Sequence, residues 1–294
     1  MGYLSINNLY KDQTVMLFKQ VYALEKVHGS SSHIAWNKGV MTFFAGGAKH
    51  ESFVALFDQE KLKATFTEEF GVTDYAVTIY GEVYGGKMQA MSATYGKDMK
   101  FIAFDVQVGE SWLVVPHAHE VVKKFNLEFV DYSLVDATVE ALDAERLKES
   151  TQAVRNGCGS GRKREGIVIR PPIEVKTNNG ARVIAKHKNA NFEERATPQK
   201  IVDPSQLKVL EEVDAIVNEW CTAMRLEHAL DKVFPNGETP DIAKMGILLK
   251  YMVEDILREA SGEIVDSKEL RGGISKKTAQ MFKDKIKSSL YNKE

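Results

Sequence analysis

Cysteine is scarce: the 294 residues contain two, Cys158 and Cys221, far apart and matching neither a paired metal-ligand spacing nor a disulfide framework. A reducing compartment is therefore expected. No run of about 18 uncharged apolar residues occurs, and no apolar N-terminal stretch of signal-peptide type. Membrane spanning and secretion are both unexpected, and the chain reads as cytoplasmic, in a host cytoplasm if the source is viral. An excess of one charge is missing too, since 39 Lys and Arg stand against 41 Asp and Glu. Any phosphate-binding surface must then be local rather than a global basic field. Internal repeats and low-complexity tracts are absent. The 7 histidines are scattered, and "HAH" at 117–119 reads as part of a surface helix rather than a metal site.

What is present is a globular composition long enough for one large or two ordinary domains. Residues 21–26, 33–36 and 40–44 are short β-branched or aromatic runs, the last two joined by the turn signal "NKG". Phe53, Leu56, Phe57, Leu62 and Phe66 recur at helical spacing across 51–70. Strand chemistry returns at 75–86 and at 100–115, the latter as a hairpin around Gly109, and a helix opens at Pro116. A helical stretch at 137–152 precedes the glycine-rich basic loop "RNGCGSGRKR", the short strand "GIVIR", and a turn and strand in "NNGARVIAKHK". Beyond about residue 194 strand-like runs vanish. Leu207, Leu210, Val213, Val217 and Trp220 fall on one helical face, with further helices at 240–260 and 275–290.

In the first part, charged residues sit in or beside strands, an uneconomical place unless each meets a ligand or partner. They are Lys26 in "ALEKVHG", Glu82 in "YGEVYGG", Glu165 in "REGIVIRP", and Lys186 with Lys188 in "AKHKN". Singly, each is a solvated edge residue or surface ion pair. In this order they resemble the covalent nucleotidyltransferase superfamily of ATP-dependent ligases and RNA capping enzymes. "KVHG" is similar to its nucleophile motif, "YGEVYGG" and "FIAFDV" to its middle motifs, "EGIVI" to its acidic strand motif and "AKHK" to its final lysine motif. Lys-x-His-Gly in place of Lys-x-Asp-Gly resembles the RNA ligase 2 family of RNA-joining enzymes, as do "RVIAKHKNANFEER" and the helical tail with "MGILLKYMVEDILREAS".

That resemblance implies an α+β fold. An ATP-grasp-like adenylation domain of antiparallel sheets with helices would span 1–195, followed by a small all-α RNA-engaging domain over 196–294. It implies ATP, Mg2+ (with Mn2+ as an alternative) and RNA, nicked or base-paired, as partners, with no membrane and a monomeric chain. Lys26 would be the nucleophile. Lys186 and Lys188 would contact the α-phosphate, Glu82 the ribose hydroxyls and Glu165 the metal, while Phe104 would stack on adenine. His28 and Gly29 would form the turn beyond the nucleophile, and Glu25 would help read the adenine side. Lysine attacks only as the neutral amine, so its reference pKa of about 10.4 would have to fall, through neighbouring cations and metal.

The family usually carries a phosphate-contacting arginine between the nucleophile and the Glu82 strand. Here "VMTFFAGGAKH" has none; Lys49 is the nearest cation, and Arg162, Lys163 and Arg164 are candidate substitutes. A helical tail in place of an oligonucleotide-binding barrel favours RNA. Arg225, Arg258 and Arg271 are candidate phosphate contacts there, with an exposed Asp255–Arg258 helical pair as the competing reading. The alternatives are a DNA or mixed nick ligase, and a non-catalytic RNA-binding module of the same fold.

Overall fold

The computed structural model describes residues 2–192, 213–235 and 238–291. They divide into two units, Met1–Asn189 and Ala190–Glu294; the boundary expected near residue 195 lies outside the described residues. In chain order the first unit comprises β1 (Asn7–Asn8), β2 (Gln20–Lys26), β3 (Ser30–Asn37), β4 (Val40–Phe44), α1 (His50–Val54), α2 (Gln59–Phe70), β5 (Val77–Gly85) and α3 (Ser92–Tyr95). It continues with β6 (Met99–Val108), β7 (Ser111–Trp112), α4 (Val115–Lys124), β8 (Tyr132–Asp136), α5 (Val139–Arg146), α6 (Thr151–Arg155), β9 (Gly166–Arg170) and β10 (Ala185–Lys188).

The strands form two sheets, ordered β1-β10-β9-β2-β8 and β4-β3-β5-β6-β7. All pairings are antiparallel except that of β1 with β10. The two-residue period of β3 buries Ser30, Ser32, Ile34 and Trp36 and leaves Ser31, His33 and Ala35 half-buried on the opposite face. Ile34 and Trp36 join Ile79, Ile102 and Val106 in a core that also takes Leu62 and Phe66 from α2 and Val122 from α4. The Trp36 ring lies nearly parallel to Phe66 at 5.6 Å. Its indole N–H donates to the Gly71 carbonyl at 2.8 Å, so this large side chain is buried with its polar atom satisfied.

The α+β architecture with antiparallel sheets and a helical end agrees with expectation, and the differences in detail have local causes. The helix expected over 51–70 is two, because Asp58 caps α2 by accepting from the Lys61 N–H. The stretch 137–152 is likewise split, since Ser150 caps α6 by accepting from Ala153 N while its own N–H donates to the Arg162 carbonyl at 2.6 Å. Strand β8 and helix α3 carry no strong periodic signal and owe their conformation to tertiary pairing and packing.

The second unit is helical, with α7 (Val213–Trp220), α8 (Ala223–Val233), α9 (Met245–Glu259) and α10 (Lys268–Tyr291). Trp220, Leu226, Leu230, Leu248, Met252, Ile256, Ile274 and Phe282 make its core. Of the helical face expected from 207 to 220, Leu207 and Leu210 lie outside the described residues, while Val217 and Trp220 are buried. Helix α10 begins earlier than expected, where Ser267 accepts from the Leu270 N–H. No helix among the described residues is long and apolar enough to cross a membrane.

Glycine is required where β9 meets β10. A Cβ on Gly166 would stand 2.3 Å from the His187 carbonyl oxygen and 2.7 Å from the Lys188 Cα, distances only backbone movement could relieve. Gly166→Ala should therefore lower unfolding free energy by about 2 kcal/mol or more. Urea denaturation will measure it, and a loss within about 0.5 kcal/mol, as for an ordinary surface change, would show that this strand pairing tolerates a side chain.

Candidate active site

Strand register assembles the site. Lys26 of β2, Gly166 of β9 and Lys188 of β10 lie in one cross-strand row, and Leu24, Val168 and Lys186 in the next but one along the strands. Residues directly opposite or two apart project to the same face, so Lys26, Lys186 and Lys188 share one face of the sheet. Glu165, just before β9, is fully buried and sits among these cations. Its Oε2 lies 2.8 Å from Lys26 Nζ and 3.1 Å from His28 Nδ1. Its Oε1 lies 3.3 Å from Lys188 Nζ, yet the geometry completes no hydrogen bond to that oxygen. Burial alone would raise the Glu165 pKa; Lys26, His28 and Lys188 outweigh it and hold the carboxyl well below its ordinary value.

The turn after Lys26 is fixed from two sides. The His28 backbone N–H donates to the Tyr95 hydroxyl at 3.3 Å, and burial raises the pKa of that hydroxyl. Gly29 packs against β5, where a Cβ would come within 2.2 Å of the Val83 carbonyl oxygen. The motif thus needs glycine because a neighbouring strand passes too close for a side chain.

A cavity of about 260 Å³ opens beside the cluster, lined by Lys26, Lys186, Val168 and Arg170 from the first sheet and by Ser31, Glu82, Phe104 and Asp105 from the second. Tyr3, Leu4, Ser5 and Ile6 line it as well. Glu82 sits directly opposite Ser31 across the β3–β5 pairing. The sequence-chosen residues Lys26, Glu82, Phe104 and Lys186 therefore share one cavity, while Glu165, Lys188 and His28 meet Lys26 at its side. Glu25 also borders the cavity, but its carboxylate is engaged by α6, accepting from Ser150 Oγ at 2.6 Å and from the Gln152 N–H at 3.3 Å. Burial raises its pKa in spite of those bonds.

Arg164, a candidate phosphate contact, is buried, with Nη2 4.0 Å from Glu25 and 3.7 Å from Asp131 and Nη1 3.8 Å from Glu145. Its charge is taken up internally, which corrects that expectation; Arg162 and Lys163 remain exposed. Lys49 is exposed, 3.4 Å from Glu51. In the helical unit Arg225 is buried on Asp255, Arg258 pairs with the same carboxylate, and Arg271 pairs with Asp266 at 2.6 Å. The expected exposed helical pair of Asp255 and Arg258 is present as a pair, but Asp255 is buried because it also takes the charge of buried Arg225.

Sequence reasoning missed a buried ionic network at the other end of the cavity. Arg170 Nη1 donates to Asp105 Oδ1 at 3.0 Å and Arg182 bonds the other Asp105 oxygen, while both arginines bond Glu174. Tyr3 donates its hydroxyl proton to Asp105 at 2.6 Å, and burial with the Asp105 charge pushes its pKa up. The signal was available: Asp105 and Arg170 are charges within strands, the same criterion that singled out Glu82 and Lys186. Among the described residues no group of three or more His, Cys, Asp or Glu could hold a metal ion by itself.

Comparison with known proteins follows the same region. The RNA ligase family model matches residues 19–188. Solved structures of a Naegleria gruberi RNA ligase are similar: a variant with ATP and Mn at 14% identity and TM-score 0.49, and a variant with AMP and Mn at the same identity and TM-score, each match covering 65% of this chain and 57% of that one. A further variant with ATP and Mn gives 15% identity and TM-score 0.48 over 65% and 56%. The chain thus spans little more than half the length of those proteins. The search of curated proteins found no match.

The electrostatics of Glu165 predict a pH-dependent stability. Its folded pKa lies below the unfolded value of about 4.5, so its contribution is complete above that pH and fades as pH falls through the folded pKa. Glu165→Gln should be markedly less stable than the unmodified protein at pH 7, with the gap narrowing below about pH 4.5. Thermal unfolding of both proteins from pH 7 to pH 3 checks this; a gap independent of pH would contradict it.

Proposed function

The chain belongs to the RNA ligase family, and on that footing we propose that it is an ATP-dependent RNA ligase joining 5'-phosphate and 3'-hydroxyl ends, with nicks in duplex RNA as its substrate. The observation that carries the reading is the convergence of Lys26, Glu165 and Lys188 within 3.3 Å contacts at the edge of a cavity that also holds Lys186, Glu82 and Phe104.

Lys26 Nζ, as the free amine, attacks the α-phosphorus of ATP; an N–P bond forms, the P–O bond to pyrophosphate breaks, and pyrophosphate leaves. AMP then passes to the RNA 5'-phosphate, and attack by the 3'-hydroxyl closes the phosphodiester and releases AMP. Glu165 pairs with Lys26 in the structure, so the amine is released for attack only as that carboxylate turns to another cation. The Oε1 atom, buried and without a hydrogen bond, fits such a role and would hold Mg2+, or Mn2+ in its place. When bound, that ion supplies charge neutralisation at the phosphates. Lys186 and Lys188 on the same face stabilise the charge developing on the α-phosphate. Phe104 offers an aromatic face to adenine, Glu82 a carboxylate to the ribose hydroxyls, and Glu25 borders the cavity beside the nucleophile. His28 and Gly29 hold the nucleophile turn.

The division of labour follows from the two units. ATP chemistry lies in residues 1–195, and residues 196–294 supply contacts to RNA. Such contacts would go to 2'-hydroxyls and phosphates, as expected for a partner recognised through A-form shape. Support comes from the C-terminal unit, whose described residues form helices rather than the strands of an oligonucleotide-binding barrel.

Incubation with ATP and Mg2+ should add one adenylate to the protein, detected as a mass shift that pyrophosphate reverses. Lys26→Ala should take up none. Labelling of that variant would refute the nucleophile assignment, and an unlabelled wild-type protein would favour the non-catalytic module. A second measurement addresses the substrate. In single-turnover sealing of nicked duplexes, ribose at the 3'-hydroxyl side should be preferred over deoxyribose by about tenfold or more, a difference of about 1.4 kcal/mol. Equal rates on an all-DNA nick would favour a DNA or mixed nick ligase.

A further inference from the structure

Residue 187 separates the two lysines of β10, and strand alternation turns its side chain to the opposite face, toward α5. There His187 Nε2 lies 2.8 Å from Asp143 Oδ1. The same oxygen accepts from Arg146 Nε at 2.6 Å, and Arg146 Nη1 reaches past it to donate to the backbone carbonyl of Lys188 at 2.9 Å. One turn of α5 therefore grips β10 twice, once through a side chain on its rear face and once through the backbone at its last residue.

From this geometry we propose that Asp143 and Arg146 are positioning residues for the nucleotidyl-transfer step, acting through His187 and the Lys188 carbonyl to aim Lys186 and Lys188 at the α-phosphate. The inference rests on the ligase reading above. Three features carry it. The β10 strand is four residues long, and β1 pairs with only its first two, Ala185 and Lys186. Lys188 stands at its end, beyond the residues that β1 pairs with, and its carbonyl is the group that Arg146 holds. The grip is a charge-assisted network rather than a lone surface pair, since His187 is largely buried at 12% side-chain exposure and Arg146 at 21%. Hydrogen bonds from His187 and Arg146 keep the Asp143 carboxyl below its ordinary pKa against the opposing effect of burial, so the clamp carboxylate is ionised at neutral pH.

Aim matters here because displacement of a charge-stabilising group by about 1 Å can lower a rate by about 100-fold while leaving ground-state binding nearly unchanged. The test compares the full-length wild type with Asp143→Ala, Arg146→Ala and the conservative Arg146→Lys, which keeps a cation able to reach the Lys188 carbonyl. Single-turnover labelling with ATP gives the maximal rate of protein adenylylation and the half-saturating ATP concentration. Hydrogen exchange of the peptide containing residues 185–188 reports the clamp without any chemistry.

The two alanine variants should lose about tenfold or more in maximal rate with less than about a threefold change in half-saturating ATP. Arg146→Lys should recover most of that loss, and exchange over 185–188 should quicken in the alanine variants. Wild-type maximal rates in folded alanine variants would overturn the proposal, as would a loss that tracks only the folded fraction seen by circular dichroism. Should the alanine variants fail to fold, Arg146→Gln, which keeps a polar side chain but is too short to reach the Lys188 carbonyl, decides: a reduced maximal rate at unchanged half-saturation with quicker exchange over 185–188 supports the clamp, and an unchanged rate with unchanged exchange refutes it. A wild-type protein that never labels defeats the ligase reading instead, and exchange over 185–188 then settles whether α5 holds β10.

Discussion

Glu165 is a carboxylate removed from water and surrounded by Lys26, His28 and Lys188, and the geometry of the site depends on it. An ionised carboxyl buried without partners would be expelled or protonated, so its burial demands that those partners stay in place. Each comes from a different segment: the end of β2, the following turn and the end of β10. Satisfying one charge therefore fixes the relative positions of three pieces of backbone. Removing the carboxylate would leave the Lys26 and Lys188 ammonium groups without the charge that draws them together, so the contact is a structural tie.

The rest of the first unit is arranged to hold that tie steady. Gly166 lets β9 and β10 approach at the row containing Lys26 and Lys188, and α5 grips β10 from behind. Glu25, next to the nucleophile, anchors β2 to the start of α6 through Ser150 and Gln152. At the opposite end of the cavity Asp105, Arg170, Arg182, Glu174 and Tyr3 form a second buried network. The cavity between them is thus bounded at both ends by ionic networks whose members come from distant parts of the chain, and such networks favour one arrangement over near alternatives because a shifted partner is left unpaired.

The proposed function rests on the contrast between these ends. One presents lysines and a buried carboxylate with one oxygen that makes no hydrogen bond, suited to phosphate and metal chemistry. The other presents an aromatic face and arginines already committed to carboxylates, suited to a flat base. A nucleotide lying along the cavity would place its triphosphate at Lys26 and its base at Phe104, which is the orientation the proposed reaction needs. In the helical unit, by contrast, Arg225, Arg258 and Arg271 are engaged by acids, so contacts to RNA there would draw on other cations.

By itself the sequence determined the α+β class, the change to helices in the C-terminal third, and the identity of Lys26, Glu82, Glu165, Lys186 and Lys188 as charges out of keeping with strand surroundings. Those features are local: periodicity, turn residues and charge in an apolar run are written within a few positions. Only the tertiary structure decided that Arg164 is buried while Arg162 is exposed, since adjacent residues of one basic run differ only in which acids the fold brings near. The same holds for the Asp105–Arg170–Arg182 network and for the hold of Asp143 and Arg146 on β10. Their partners are separated by tens of residues, and cross-strand register, fixed by long-range pairing and by glycine at the closest approach, is what makes them neighbours.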